Sequence, residues 1–216
     1  MKIFLASSNK HKQKEMQELL PDYEVLIPSD VGIEFDPEET GKSFYENSMI
    51  KAKALYDLVK EPVIADDSGI CVDALGGAPG IYSSRYAGPD FMQGRPDGKK
   101  ISQDEQNRFL IQQTNDSKNP DRSCRYVCAM VLYYAKDRFI ISQETFEGQL
   151  IDDISKQAGS GGFGYDPIVF LPEYGKTVAE ISAEEKNKIS HRGKAVANIV
   201  QFLEKLQKKK KIKKKY

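Results

Sequence analysis

Apolar residues run unbroken from Ile3 to Ala6 in KIFLAS, residues 2–7, and then give way to a polar, helical pattern through KHKQKEMQELL. A short apolar run bounded by polar residues predicts a buried strand, and Ser8 or Asn9 can cap the helix that follows. YEVLIP, residues 23–28, predicts a second short strand. From about Ser43 to Lys60 the apolar positions Phe44, Ala52, Leu55 and Val59 recur at helical spacing, and Pro62 then introduces the strand VIAD, 63–66. Strand, helix, strand, helix, strand implies parallel pairing through crossover helices, an α/β class. That third strand is expected to end on two adjacent carboxylates, Asp66 and Asp67, with a polar, glycine-rich turn following at once. Successive side chains of a strand point to opposite faces, so one acid can enter a ligand site while the other enters its supporting structure.

The second half is patterned differently. Residues 88–106 are polar and rich in Gly and Pro, which predicts a long surface loop leading into a helix near Glu105 to Gln113. SCRYVCAMVLYYA and RFIISQETFEGQL are β-rich and separated by Lys136 and Asp137, which predicts a hairpin. QAGSGGFGYDPIVF reads as a loop, a short helix follows near Ala183 to Lys188, and a last helix starts at about Arg192. Its apolar face is Val196, Ile199, Val200, Leu203 and Leu206. No internal repeat or interdomain linker is evident, so residues 1–206 are expected to form one domain and 207–216 a lysine-rich tail.

Composition narrows the class. The chain has 216 residues, 39% of them hydrophobic, within the ordinary globular range. The apolar run near the amino terminus is too short for a signal-peptide core, and no stretch reaches the length of a membrane span, so a cytoplasmic protein without membrane contacts is expected. Cys71, Cys124 and Cys128 make an odd number, and the latter two lack further partners at zinc spacing; reduced, buried thiols are expected. Lys and Arg number 32 against 32 Asp and Glu, but seven lysines stand at Lys208 to Lys211 and Lys213 to Lys215. Without them 25 basic residues face 32 acidic ones, an acidic body that argues against a nucleic-acid-coating surface. The tail reads as a solvated helix end, with weak nonspecific attraction to RNA or membrane as the lesser reading.

Five blocks carry candidate chemistry, each with a plainer alternative. SSNKHK, residues 7–12, joins a strand to a helix whose amino-terminal N–H groups and Lys12 suit a phosphate; alternatively it is an ordinary cap with a solvated lysine face. In PEETGKSFYENSMIKAKAL, Glu38 and Glu39 precede a helix on which Asn47 and Lys51 share a face, and a lysine there needs a phosphate or carboxylate partner unless it snorkels to water. Asp66, Asp67 and Ser68 combine hard-oxygen ligands for magnesium with a carboxylate able to deprotonate water, or they form an Asx-turn. GSGGFGYDP formally contains GxGxxG at Gly159, Gly161 and Gly164, but no apolar strand precedes it and YDPIVF cannot open a helix. The glycines suit close approach to a flat ligand, with Phe163 as a stacking face. No GxxxxGK[ST] exists in the chain. In EEKNKISHRGKA, Lys186, His191 and Arg192 could read a base carbonyl or hold phosphate, or His191 could simply cap the final helix.

In this order, SSNKHK, EETGKSFYENSMIKAKAL, IADDSGICVDALGGAPGIYSSRYAG, GSGGFGYDPIVF and EEKNKISHRGKA resemble the inosine/xanthosine triphosphate pyrophosphatase family over residues 3 to about 202. The resemblance implies an elongated mixed sheet with flanking helices, two lobes around a nucleotide-binding cleft, and a homodimer. It implies magnesium-dependent attack of water on the α-phosphorus of ITP, dITP or XTP, giving the nucleoside monophosphate and pyrophosphate. By motif, Asp67 takes the general-base position and binds metal with Glu39, while Lys12 and Lys51 complete the catalytic set. Ser7, Ser8, Asn9, Lys10, His11, Lys12, Ser68, Phe163, Gly164, Tyr165, Asp166, Lys186, His191 and Arg192 match substrate-binding positions. Asp66 is expected to support the turn or the metal's outer shell. The 89–103 segment and the tail look like additions to the family pattern, SSN stands where Thr and Gly are expected around the same Asn, and Glu38 competes with Glu39 by one position. The competing readings are a phosphatase releasing inorganic phosphate and a non-enzymatic nucleotide- or nucleic-acid-binding protein dependent on the tail.

Overall fold

The two acids at positions 66 and 67 do not end their strand. In the computed structural model, which describes residues 1–162 and 164–213, the strand continues to Val72. Strands β1 (Lys2–Leu5), β2 (Glu24–Leu26), β3 (Val63–Val72), β4 (Ser123–Ala135), β5 (Arg138–Leu150), β6 (Val169–Leu171) and β7 (Lys176–Thr177) form one mixed sheet in the order β2-β1-β3-β4-β5-β6-β7. β1 pairs in parallel with both β2 and β3, as the strand–helix alternation requires, whereas β6 pairs antiparallel with β5 and with β7. The helices are α1 (Lys10–Leu19), α2 (Phe44–Val59), α3 (Gln103–Asn115), α4 (Ala183–Ile189) and α5 (His191–Lys213). The α/β class follows from this order. None of the described helices is long and apolar enough to cross a membrane.

The chain folds as two compact units. The first comprises Met1–Asp67, Cys128–Glu144 and the chain from His191 onward. Its strands alternate between two apolar clusters. Ile3, Leu5, Ile64, Cys128, Met130 and Leu132 join Met16 and Leu20 of α1 and Val196, Ile199 and Leu203 of α5. Phe4, Ala6, Val63, Ala65, Val131 and Tyr133 join Ala52 and Leu55 of α2. The parallel register Phe4 to Val63 and Leu5 to Ile64 keeps these faces in phase, and each fully buried Leu or Ile contributes roughly 1.5–3 kcal/mol. The expected apolar face of α5 is thus confirmed at Val196, Ile199 and Leu203, with Val200 partly buried against the same cluster.

The second unit comprises Ser68–Val127 and Thr145–Ser190. Its core includes Ile70, Val72, Tyr86, Leu110, Tyr126, Phe146, Leu150, Ile168 and Val169. Here the sequence expectation for β3 is corrected. Gly69 makes no turn: a Cβ on it would lie 2.3 Å from the Gly80 carbonyl oxygen and 2.5 Å from Ser83 Oγ, so it admits a crossing backbone while the strand runs on. Ile70 N–H donates to Ser83 Oγ at 2.9 Å. α3 is also longer than expected, because Ser102 caps it and Glu105 Oε2 accepts from the Ser102 amide N–H at 2.9 Å. The segment read as a loop through Phe170 ends in β6, and two-residue β7 was below the length at which alternation can be recognised. The hairpin turn falls at Lys136 and Asp137 as expected, with Asp137 at φ +56°. All three thiols are free; Cys124 and Cys128 are buried, Cys71 only half-buried.

Candidate active site

Strand alternation in the first unit decides what the two aspartates meet. Asp67 shares parity with Val63 and Ala65, so it faces α2; Asp66 shares parity with Ile64 and faces α1 and α5. Both are buried, at 2% exposure for Asp66 and 9% for Asp67.

On the α2 face, Lys51 Nζ lies 3.3 Å from Asp67 Oδ1 and 3.0 Å from Glu39 Oε1. Asn47, one turn earlier, braces this group: its Nδ2 donates to Asp67 Oδ2 at 3.3 Å, and its Oδ1 accepts from Gly41 N–H at 2.8 Å. Gly41 has no room for a side chain there, since a Cβ would lie 2.6 Å from that oxygen. The loop carrying Glu39 is therefore tied to the helix that positions Asp67. Ser48 Oγ donates to the Ala65 carbonyl at 2.9 Å and fixes α2 against β3. Burial pushes the Asp67 carboxyl above its ordinary value; Lys51 opposes this, but Glu39 and Asp66 reinforce it. Burial would lower the Lys51 ammonium, yet Asp67, Asp66 and Glu39 outweigh it and hold the lysine charged above its ordinary value.

Glu39 and Asp67 thus direct oxygens at one cationic position, filled by the lysine ammonium. Among the described residues no three His, Cys, Asp or Glu side chains converge as a metal cage. A divalent ion held by these two carboxylates would draw its remaining oxygens from water and ligand, as hard cations bound to phosphate compounds do. Glu38 is exposed, whereas Glu39 reaches the Lys51 ammonium at 3.0 Å, so Glu39 is the acid that this geometry brings to Asp67.

On the opposite face, Asp66 accepts from Lys12 Nζ at 3.1 and 3.2 Å and from Arg192 Nη2 at 3.0 Å and Nε at 3.3 Å. Arg192 Nη1 also donates to both Glu15 oxygens at 3.0 and 3.1 Å. Burial alone would raise the Asp66 carboxyl, but the charges of Lys12 and Arg192 overcome it and hold the group well below its ordinary value. Two neighbouring aspartates are therefore shifted in opposite directions. Instead of supporting a turn, Asp66 is the counter-ion of a buried arginine 126 positions away.

At the α1 amino terminus, Asn9 Oδ1 accepts from the His11 and Lys12 amides at 2.8 and 3.3 Å, and Ser7 Oγ accepts from Asn9 N–H at 3.1 Å. Ser8, Asn9, Lys10 and His11 are exposed, and Ser7 and Lys12 half-buried, so the segment is capped yet open to solvent. His191 is buried at the first residue of α5.

In the second unit, Lys186 Nζ donates to Asp166 Oδ2 at 2.6 Å, Asp166 being 3% exposed. Tyr165 Oη donates to the Ser83 carbonyl at 2.7 Å. Gly162, at φ +70°, would place a Cβ 2.0 Å from Asp166 Oδ2, so the glycine turn wraps directly on that carboxylate. Gly164 also has positive φ, but open space beside it. Ser68 is half-buried in β3. Phe163, the expected stacking residue, lies outside the described residues. Asp166 with Lys186 and Asp67 with Lys51 are thus brought together as pairs. Sequence reasoning missed Glu15, Gly162 and Ser83 as partners. Glu15 stands three residues after Lys12 on one helix face, a spacing that could have exposed it.

The Ham1 family model matches residues 3–202. Curated relatives include the dITP/XTP pyrophosphatase of Treponema denticola, 51% identical over 203 residues that cover 94% of this chain and 98% of the relative. The Escherichia coli K12 protein of the same name is 39% identical over 206 residues, covering 94% and 98%. Among solved structures, a HAM1 protein from Coxiella burnetii superposes with TM-score 0.82 at 34% identity, covering 95% of this chain and 99% of that one. The Staphylococcus aureus Ham1 protein gives 0.79 at 36%, covering 94% and 98%.

Proposed function

Because the chain belongs to the Ham1 family, we propose that it is a nucleoside triphosphate pyrophosphatase acting on dITP, ITP and XTP. It cleaves these non-canonical purine nucleotides to the monophosphate and pyrophosphate and so removes them from the nucleotide pool. The observation that best supports the chemistry is the buried Asp67 carboxyl, held above its ordinary value beside Glu39 and Lys51. A base with a raised pKa accepts a proton more readily. Asp67 takes a proton from water as the water oxygen bonds to the α-phosphorus; the bond from that phosphorus to the α–β bridging oxygen breaks, and pyrophosphate leaves. Phosphoryl transfer needs little covalent help and much positioning and charge neutralisation. In this reading Lys51, held by Glu39 and Asp67, and Lys12, held by Asp66, supply the positive charge for the triphosphate, with the α1 amino terminus and Ser7 to His11 completing the phosphate end.

Glu39 and Asp67 are the residues that would hold Mg²⁺, which when bound neutralises phosphate charge and polarises the α-phosphate. Ser68, Phe163, Gly164, Tyr165, Asp166, Lys186, His191 and Arg192 are assigned to base and sugar recognition. Lysine and arginine donors suit a 6-keto purine, whereas adenine offers an amino donor at that edge. A cytoplasmic homodimer is part of the same reading. Its test is incubation with Mg²⁺ and dITP, XTP or ITP in ¹⁸O-water, with dATP and dGTP alongside. Monophosphate and pyrophosphate are expected, with the label in the monophosphate and the keto purines strongly preferred. Label in pyrophosphate, release of inorganic phosphate, or equal use of dATP and dGTP would overturn the assignment.

A further inference from the structure

Asn47 serves neither the helix that carries it nor any role that the sequence motifs assign. It is fully buried in the first turn of α2. The donors of that turn are met without its side chain: Ser43 Oγ accepts from Glu46 N–H at 3.2 Å, the Asn47 backbone N–H donates to the Ser43 carbonyl at 3.1 Å, and Glu46 Oε2 accepts from Lys42 N–H at 2.5 Å. A buried side-chain amide needs partners at both ends. Here they lie on different parts of the chain, the Gly41 N–H two residues past Glu39 and the Asp67 carboxylate in β3. Both partners dictate one orientation. A backbone N–H only donates and an ionised carboxylate only accepts, so Oδ1 faces Gly41 and Nδ2 faces Asp67.

We propose that Asn47 is a positioning residue for the hydrolysis: it fixes the Glu39 loop relative to Asp67, so that the two carboxylates meet on one cation. The proposal rests on the catalytic reading of Asp67 and Glu39 given above. The residues from Ile33 to Gly41 lie in no helix or strand, so Glu39 depends on a fixed point nearby. Two extended residues span at most about 7 Å, and anchoring Gly41 on α2 keeps the Glu39 backbone within that distance of such a point. The approach is one that glycine allows, since a Cβ at position 41 would lie 2.6 Å from Asn47 Oδ1 and 2.8 Å from Asn47 N. The result is visible one turn further along α2, where Lys51 Nζ reaches Glu39 at 3.0 Å and Asp67 at 3.3 Å. One amide thus holds both acids, and neither can drift from the other without breaking a bond to it.

The test compares Asn47→Leu, which keeps the side chain's bulk and removes both bonds, with Gly41→Ala, which displaces the loop and leaves Asn47 beside Asp67. Amide hydrogen exchange of the metal-free proteins, read on a peptide covering residues 36–43, should be faster in both variants, while β1 and α5 exchange at the wild-type rate. With dITP, kcat of Asn47→Leu should fall and the Mg²⁺ concentration for half of full activity should rise in both variants. Each change should be about 10–100-fold, as when a partner that orients a metal-binding group is lost. KM for dITP, governed by contacts on other elements, should stay near wild type; a merely structural role would lower the melting temperature without this split. Because both substitutions cut the same tie, the double variant should need no more Mg²⁺ than Asn47→Leu alone. Unchanged exchange at 36–43 in Asn47→Leu, or faster exchange there with kcat and the Mg²⁺ requirement both at wild-type values, would overturn the proposal. Asp67→Asn, run alongside, separates this from a failure of the catalytic reading. If that variant turned dITP over at the wild-type rate, the role given to Asp67 would fall, while the exchange rates would still decide whether Asn47 holds the Glu39 loop.

Discussion

Replacing Arg192 with methionine removes the guanidinium that neutralises Asp66 while retaining a side chain of similar length. Arg192 and Asp66 have side-chain exposures of 3% and 1%, so Asp66 cannot turn to water when its partner is lost. Breaking a buried ion pair from one side costs about 3–5 kcal/mol. The lower end applies here, because Lys12 stays 3.1 Å from Asp66, and Glu15, at 18% exposure, can recover solvent. A loss of about 3 kcal/mol at pH 7 corresponds to a melting temperature lower by roughly 6–12 °C for a chain of this size. The pH dependence has a definite sign. In the native protein the Asp66 carboxyl lies well below its ordinary value, so its stabilisation is fully present above the unfolded value of ~3.9 and is lost as pH falls through the depressed native one. In Arg192→Met, burial is opposed chiefly by Lys12, the native carboxyl moves up, and the deficit relative to wild type shrinks as pH falls from 7 through that raised value. Melting and urea unfolding of both proteins across that range measure this directly. A variant within about 2 °C of wild type at pH 7, or a deficit that grows toward acid, would refute the reasoning.

Asp67→Asn should fold with near-native stability, since Lys51 keeps Glu39, while turnover of dITP falls by about 10²–10⁴ as expected for loss of a general base; steady-state kinetics alongside thermal melting separate the two. Lys51→Ala should raise KM and lower kcat together. Losing the cation 3.3 Å from Asp67, an interaction worth about 1 kcal/mol even in bulk water, should also move the acidic limb of kcat/KM upward by at least about one pH unit, because the base must be ionised and its carboxyl is already raised. Gly162→Ala should cost more than the ~1–2 kcal/mol of a left-handed alanine, since its Cβ meets Asp166, and should raise KM for dITP. Gly164→Ala, with open space beside it, should show only the backbone cost, a contrast readable in melting curves.

The parallel β1, β2 and β3 and the core face of α5 were legible because apolar periodicity reports burial, and burial is what those elements share. The extent of β3 was not, since DDSG has the polarity of a turn until each carboxylate is given its partners. Lys51 could be matched with a carboxylate from its place on a core-facing helix stripe, and Asn47 from the same stripe. The Asp66–Arg192 pair left no trace, because nothing local connects residues 126 positions apart. Gly162 was overlooked beside glycines that completed a familiar spacing, although it is the one pressed against Asp166.

The doubled aspartate also protects the alignment of its own strand. With a side-chain period of two, a slip of β3 by one residue turns every side chain to the other face. Sliding one way sets Asp67 beneath Arg192 but leaves Ser68 before Lys51; sliding the other sets Asp66 before Lys51 and leaves Ala65 beneath Arg192. Either misalignment takes the strand's carboxylate from a buried cation on one side of the sheet, leaving Lys51 only Glu39 or Arg192 only Glu15. Only the native pairing of Phe4 with Val63 and Leu5 with Ile64 supplies a carboxylate to both faces at once, so the residues that serve chemistry also penalise the nearest wrong folds.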